Sequence, residues 1–462
     1  RQFFISTKCG HGPSTDNYTL DPSMHPTPRL YFAQSMKRSS WLVLVLGLLF
    51  YSASVGVMLF KQTGMQQYVY LADAFLHGHL DLVNYNGSPY DLIHFDGKLY
   101  VPGALAPALL YLPFVAVFGF GVSDVLFSVV VAAFNTALVH DLLGRLGGDE
   151  SSSKRAWLTV LFAAGTVHWW IASVGSVWFN AQVTAVLFTL LFVRETLIDK
   201  RPWLAGLWLG LAALSRPTLL FAAVFFLLYH FLRRETVRAW LLKSLPFAGT
   251  FGLALVVMLG YNFLRFGNPL DFGYGYVQGS KELTALYAKY GGFNTRYMPC
   301  NLYVSLAGLP NIPNNPLPSV NQMCPDLNTP RGFKRISDFF NPLGMSVFLT
   351  TPALLYVFRA RLKGNPLTLS ALAAAALVTL VVWTYHTPGY VQYGYRYLLD
   401  PLAFLLILLA DGMRKVDKIA IALILASVFM NFIGLYIMFK DTFKISWFDM
   451  WTQTLLHLVG LP

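Results

Sequence analysis

WLVLVLGLLFYSASVGVMLF, residues Trp41–Phe60, runs for 20 positions without a charge. A helix rises about 1.5 Å per residue, so this stretch is long enough to cross the roughly 30 Å of hydrocarbon in a bilayer. With no water there to satisfy backbone N–H and C=O groups, a spanning segment must be a helix or part of a closed barrel. Lys37 and Arg38 stand just before it. Cations remain on the cytoplasmic side of a crossing helix. The first helix therefore starts inside and emerges on the far side near Lys61. Residues 1–40 are polar, rich in Pro and Ser, and lack the apolar core of a secretory signal. They read as a cytoplasmic tail.

The rest of the chain repeats this pattern. Hydrophobic types make up 55% of the 462 residues and charged types 12%, about half the usual share of a soluble domain. Mean hydropathy is +0.52. So few charges cannot cover a soluble protein of this size, and the apolar content excludes a disordered chain. Three cysteines exclude a disulfide scaffold. The net charge of +12 would suggest nucleic acid in a soluble protein. Here the cations sit between apolar runs, where they set topology, and no nucleic-acid partner is expected.

Five short basic connectors stand out: Arg145 with Lys154-Arg155, Arg194 with Lys200-Arg201, Arg233-Arg234 with Arg238 and Lys243, Arg359-Arg361-Lys363, and Arg414-Lys415 with Lys418. Placing all five in the cytoplasm requires an even number of crossings between them. The expectation is an all-α polytopic bundle of about 11 spans over residues 41–440, with the N-terminus in and the C-terminus out. Residues 441–462 then form an outer terminal segment. Ala104–Phe120 contains Pro107 and Pro113 and follows Pro102. It reads as an interfacial helix rather than a crossing. The long segments 61–122 and 265–344 fall outside, where long loops in compact proteins are usually functional.

Segment 61–122 carries the candidate chemistry. In YVYLADAFLHGHL (Tyr68–Leu80) the apolar spacing predicts a short amphipathic helix on the interface, with Asp73 and His77 sharing a face. Asp91 and the turn pair Asp96-Gly97, followed by Lys98, come next.

The stretch YLADAFLHGHLDL…HFDGKLYVPGALAPALLYLPFVAVFG resembles the first outer loop of the C-type (GT-C) membrane glycosyltransferases, the group of the protein mannosyltransferases and lipid A aminoarabinose transferases. ALSRPTLLF (213–221), YNFLRFGNPLDFGYGY (261–276) and QYGYRYLLDPLAFLLILLADG (392–412) are similar to later segments of relatives of that group. The resemblance implies a plasma-membrane enzyme working on the extracytoplasmic face. It would move a sugar from a polyprenyl-phosphate donor to a glycan, lipid or protein acceptor. The group's usual acid after the first helix would fall at Gly64-Met65, where none stands. Asp73 and Asp91 are the replacement candidates, with Asp96 third.

Such a reaction needs a base for the acceptor proton and cations for the departing phosphate. Carboxylates suit the first task. Arg216, Arg396 and Lys98 suit the second, the arginines offering a two-pronged grip. Asp400 lies four residues after Arg396, so an intrahelical ion pair is the competing role there. Tyr68, His77, Trp178, Asn180 and Tyr395 are candidates for sugar or acceptor contact. Interface anchoring is the bland alternative for the aromatics. Cys300 and Cys324 share the second outer segment, where an oxidising exterior permits a disulfide. A divalent ion held by the loop carboxylates is compatible with the sequence, which specifies no metal set. Two other functions compete: a polysaccharide polymerase or ligase using a lipid-linked donor, and a secondary transporter. The transporter reading is weakened because the charges sit at helix ends rather than mid-membrane.

Overall fold

The structure is a computed structural model that describes residues 36–146, 152–233, 236–279, 281–310, 320–325, 327 and 340–458. Most of the expected cytoplasmic tail lies outside these residues. The chain divides into two units, Arg1–Lys37 and Arg38–Pro462, and the fold below is that of the second.

The second unit is helical. Among the described residues, six helices are long and apolar enough to cross a membrane. They are Arg38–Phe60, whose first part Arg38–Val55 is α1, α4 (Asp124–Leu146), Val177–Ile198, whose α-helical part Val177–Arg194 is α7, α10 (Val237–Phe266), α13 (Pro366–Trp383) and α15 (Lys418–Phe443). A seventh is counted if α5 (Ser152–Ala164) and α6 (His168–Val174), bent by 48°, make one crossing. The chain is thus a multi-pass helical membrane protein.

The expectation of eleven crossings also counts apolar segments that fall short of the roughly 20 residues a crossing needs. These include α8 (Pro202–Ser215), the segment Pro217–Leu232 that ends in α9 (Ala223–Leu232), and α14 (Leu402–Gly412). Proline explains the first break. Arg216 precedes Pro217 and is extended (φ −144°, ψ 102°), because a proline bars the preceding residue from the helical region.

Segment 61–122, expected to lie outside, holds α2 (Gln67–Leu76) and α3 (Ala106–Phe118). Between them lies something not expected from sequence, a small antiparallel hairpin of β1 (Ile93–Phe95) and β2 (Lys98–Tyr100). Its turn is Asp96-Gly97, both with positive φ (50° and 70°), as a two-residue primed turn requires. Asp96 is therefore an exposed turn residue. Segment 265–344 contains α11 (Lys281–Tyr290) and α12 (Met298–Leu306), and Cys300 is disulfide-bonded to Cys324. The last helix, α16 (Trp447–Leu458), follows α15.

Small residues let the helices close. Gly206 and Gly210 on α8 face α10, where an added Cβ would meet the Phe247 carbonyl or Ala254. This is the small-xxx-small spacing by which membrane helices pack without a hydrophobic drive between them. Inside the bundle, Tyr51 Oη lies 3.0 Å from His168 Nδ1 and 3.3 Å from Thr136 Oγ1, and Asn135 donates to the Val183 carbonyl (3.0 Å). A network of neutral groups thus joins α1, α4, α6 and α7.

Acidic side chains tie the first two basic connectors together. Asp141 near the end of α4 accepts from Arg145 (2.8 Å) and from Arg194 at the end of α7 (3.3 Å), and Arg201 pairs with Glu195 (2.7 Å). At the other end of α4, Asp124 accepts from Thr63 N (3.1 Å), from the Thr63 hydroxyl and from Ser176 N (3.3 Å). One buried carboxylate therefore pins the exits of α1 and α6 to α4. Asp124→Ala should lower the stability of the detergent-purified protein by about 2 kcal/mol. Asp124→Asn should fall between the two, and thermal unfolding reads both.

Candidate functional site

At this end of the bundle segments 61–122 and 265–344 border a cavity of about 630 Å³, within the range of small-ligand sites. Its lining comes from helix ends opposite the basic connectors: the start of α7, the turn after α8, the loop 385–397 and the end of α15. Segment 61–122 supplies Tyr68 and Asp91, and segment 265–344 supplies Tyr274 and Tyr287. The latter segment is anchored here by backbone. His386 N donates to the Gly292 carbonyl (2.9 Å), and Asn301 donates to the carbonyls of Trp383 (2.9 Å) and Tyr385 (2.7 Å).

Asp91 is the loop carboxylate that reaches the cavity. Its backbone is left-handed (φ 62°), and its N–H donates to the Gln278 carbonyl (3.0 Å). Burial raises its pKa above the ordinary carboxylate value, and the positive charge of Arg396 partly offsets this. Asp73 does not join it. It lies on α2 beside His77, whose Nδ1 is 3.6 Å from Asp73 Oδ1, and neither residue lines the cavity. His77 is largely exposed. Lys98 also stays away, on the hairpin, 3.4 Å from Asp81.

The two arginines differ in a way their local sequences did not show. Arg216 is clamped by Asp400, with Nε to Oδ1 and Nη2 to Oδ2 both at 3.1 Å. Thr218 Oγ1 donates to the same carboxylate (2.6 Å). The Arg396–Asp400 pair considered from the four-residue spacing is therefore not formed. Arg396 has no carboxylate partner among the described residues, and its buried Nε has no hydrogen bond. Its guanidinium lies 5.3 Å from the Tyr397 ring centroid and 5.6 Å from that of Phe179. Arg216 lies 4.8 Å from the same Tyr397 ring. Tyr397 thus stands between a neutralised cation and an uncompensated one.

Of the aromatic candidates, Tyr68 and Trp178 line the cavity. Burial raises the Tyr68 pKa, keeping its hydroxyl protonated. Asn180 sits behind the wall, donating to Tyr111 Oη (3.0 Å) and to the Asp124 carbonyl (3.3 Å). Tyr395 is buried behind Tyr397, with ring centroids 5.8 Å apart. Sequence reasoning did not single out Gln182, Tyr287 or Tyr397. The signal for Tyr287 was the amphipathic pattern of α11. Gln182 is a polar residue one turn into an apolar helix, which membrane burial makes worth asking about. His386 packs against Tyr385 (4.3 Å) and Tyr287 (5.7 Å), and burial lowers its pKa to about 4, so the ring is neutral at pH 7.

Among the described residues, four of the seven non-glycine residues with positive φ line this cavity: Asp91, Ser176, Val391 and Lys444. Left-handed backbone in a β-branched residue such as Val391 is costly, and such strain collects at functional sites. No three His, Cys, Asp or Glu side chains gather as a metal site among the described residues. Asp73 and Asp91 in particular are not brought together. The lining therefore does not by itself form a metal site. No protein-family model, curated protein or solved structure matches this chain.

Proposed function

We propose that this protein is a membrane glycosyltransferase that moves a sugar from a polyprenyl-phosphate donor to a glycan, lipid or protein acceptor. One observation supports this most. Arg396, whose buried Nε has no hydrogen bond and which has no bonded carboxylate among the described residues, shares a cavity at the helix ends with a carboxylate whose pKa is raised, Asp91. A site that keeps a cation without a bonded counter-ion is suited to an anion arriving with the ligand. In this reading the acceptor oxygen or nitrogen attacks the anomeric carbon and gives its proton to Asp91. The anomeric C–O bond breaks with its electron pair passing to the departing polyprenyl phosphate, whose charge Arg396 meets. Trp178 and the tyrosine rings around Tyr68 supply the apolar faces against which a sugar ring can rest.

The reading carries a topology with it. The short apolar helices α8, α9 and α14, with the segment 347–359, complete eleven passes. The basic connectors lie in the cytoplasm, the C-terminus lies out, and the cavity opens at the extracytoplasmic surface of the plasma membrane. The test is to incubate the purified full-length protein with a panel of polyprenyl-phosphate sugars. Release of polyprenyl phosphate with sugar transfer or hydrolysis is expected. If no donor is bound or turned over, the reading fails. Flux of intact ligand across proteoliposomes without bond cleavage would favour the transporter instead.

A further inference from the structure

The first turn of α7 is open at its start. Ser176 occupies the N-cap position with a left-handed backbone (φ 69°, ψ 161°), yet its side chain makes no capping bond. Its Oγ is buried without a hydrogen-bond partner, although Ser at this position ordinarily accepts from one of the first helical N–H groups. Ser176 N is taken by Asp124 (3.3 Å), Val177 N by the Met65 carbonyl (3.1 Å) and Asn180 N by the Ser176 carbonyl (2.9 Å). The N–H groups of Trp178 and Phe179 have no acceptor among the described residues.

Arg396 is fixed against this same turn. Gln182, on the next turn of α7, donates through Nε2 to the Arg396 carbonyl (3.1 Å), and the guanidinium lies 5.6 Å from the Phe179 ring centroid. Ser176, 3% exposed, presents its unpartnered Oγ. Ser176, Trp178, Phe179, Gln182 and Arg396 all line the cavity. A helix start with unsatisfied N–H groups, an unspent hydroxyl and an unpaired guanidinium is an arrangement suited to an oxyanion. Of the carboxylates around it, Asp124 is engaged by Thr63 and by Ser176 N, and Asp91 and Asp441 line the same cavity.

We infer that the first turn of α7 and Arg396 form one phosphoryl-binding subsite, with Trp178 N–H, Phe179 N–H, the Ser176 hydroxyl and the Arg396 guanidinium as its donors. The identity of its ligand as the lipid phosphate of the donor rests on the glycosyltransferase reading. The chemistry then has a direction. A glycosyl phosphodiester carries one negative charge and the departing phosphate monoester carries up to two. Donors placed here therefore gain strength as the C–O bond breaks, which is where stabilisation accelerates a reaction.

The test measures binding to the full-length protein in nanodiscs, read by tryptophan fluorescence and confirmed by native mass spectrometry. The ligands are a polyprenyl monophosphate, the matching polyprenol and inorganic phosphate. Wild type should hold the lipid phosphate about 30-fold more tightly than the polyprenol. Ser176→Asp places a carboxylate on the open N–H groups, and should weaken lipid-phosphate binding about 30-fold. Ser176→Asn, which can cap the same N–H groups without adding a charge, should weaken it less, by about 5-fold. Should the Asp variant fail to fold, Arg396→Gln and Ser176→Ala carry the test, with losses of about 30-fold and about 5-fold. Lipid-phosphate binding that ignores Ser176→Asp overturns the subsite. Ser176-dependent binding of inorganic phosphate with no gain from the lipid chain overturns the assignment to a lipid phosphate. Ser176-dependent binding of the lipid without sugar transfer keeps the subsite and removes the enzyme reading. Transfer that is unaffected by Ser176→Asp does the reverse.

Discussion

Asp91→Asn is expected to lower kcat/KM for sugar transfer about 1,000-fold, within the range spanned by positioned proton acceptors, while leaving donor binding within a few-fold. The substitution keeps the size of the side chain and its place just before β1, but removes its ability to take a proton. Asp73→Asn should leave kcat/KM within about 2-fold, because Asp73 pairs with exposed His77 and does not line the cavity. The pH profile adds a signature that a structural role would not produce. A base must be ionised to act, so activity should rise with pH along an acid limb set by Asp91. Burial places that limb above the ordinary carboxylate value, and Arg396 holds it lower than burial alone would. Arg396→Gln removes the lowering influence, and the limb should therefore move to higher pH. An Asp91→Asn enzyme of wild-type rate, or a limb that stays put in the Arg396 variant, would detach Asp91 from the chemistry.

What could be read from the chain was whatever depends on local spacing. Trp41–Phe60 is helical over that whole length, and the Asp96-Gly97 pair forms a turn because both residues tolerate positive φ. The side chains that meet at the cavity were harder to foresee, since the sequence orders Asp73 and Asp91 along one loop but says nothing of which faces inward. Asp73 sits on the wet face of α2, whose opposite face is buried, whereas a left-handed turn directs Asp91 into the cavity wall. The Arg396–Asp400 pairing failed for a definable reason. Residues Arg396–Leu399 form a 3-10 turn rather than an α-helix. At three residues per turn, positions four apart no longer share a face. The partner that replaces Arg396 is Arg216, 184 positions away, a distance no periodicity can bridge.

That long-range pair leads to the largest expected effect on stability. Asp400 is buried and receives three hydrogen bonds, two from Arg216 and one from Thr218. Asp400→Leu leaves Arg216 without its counter-charge, next to a ring already shared with Arg396. Breaking a buried pair by removing one member costs about 3–5 kcal/mol, because the remaining charge stays desolvated. The single variant should therefore unfold at a clearly lower temperature in detergent. Removing the second charge is the control. In Asp400→Leu with Arg216→Met no charge is stranded, and most of the lost stability should return, since a buried pair and an apolar replacement of similar volume are often close in free energy. If the pair only holds the fold, the double variant should also recover sugar transfer. If the Arg216–Asp400 clamp supports Tyr397, and through it the position of Arg396, the double variant should be stable and still slow, with the loss in kcat rather than KM. An Asp400→Leu protein as stable as wild type would mean that water reaches Arg216 freely and that the Arg216–Asp400 pair does not hold the cavity wall.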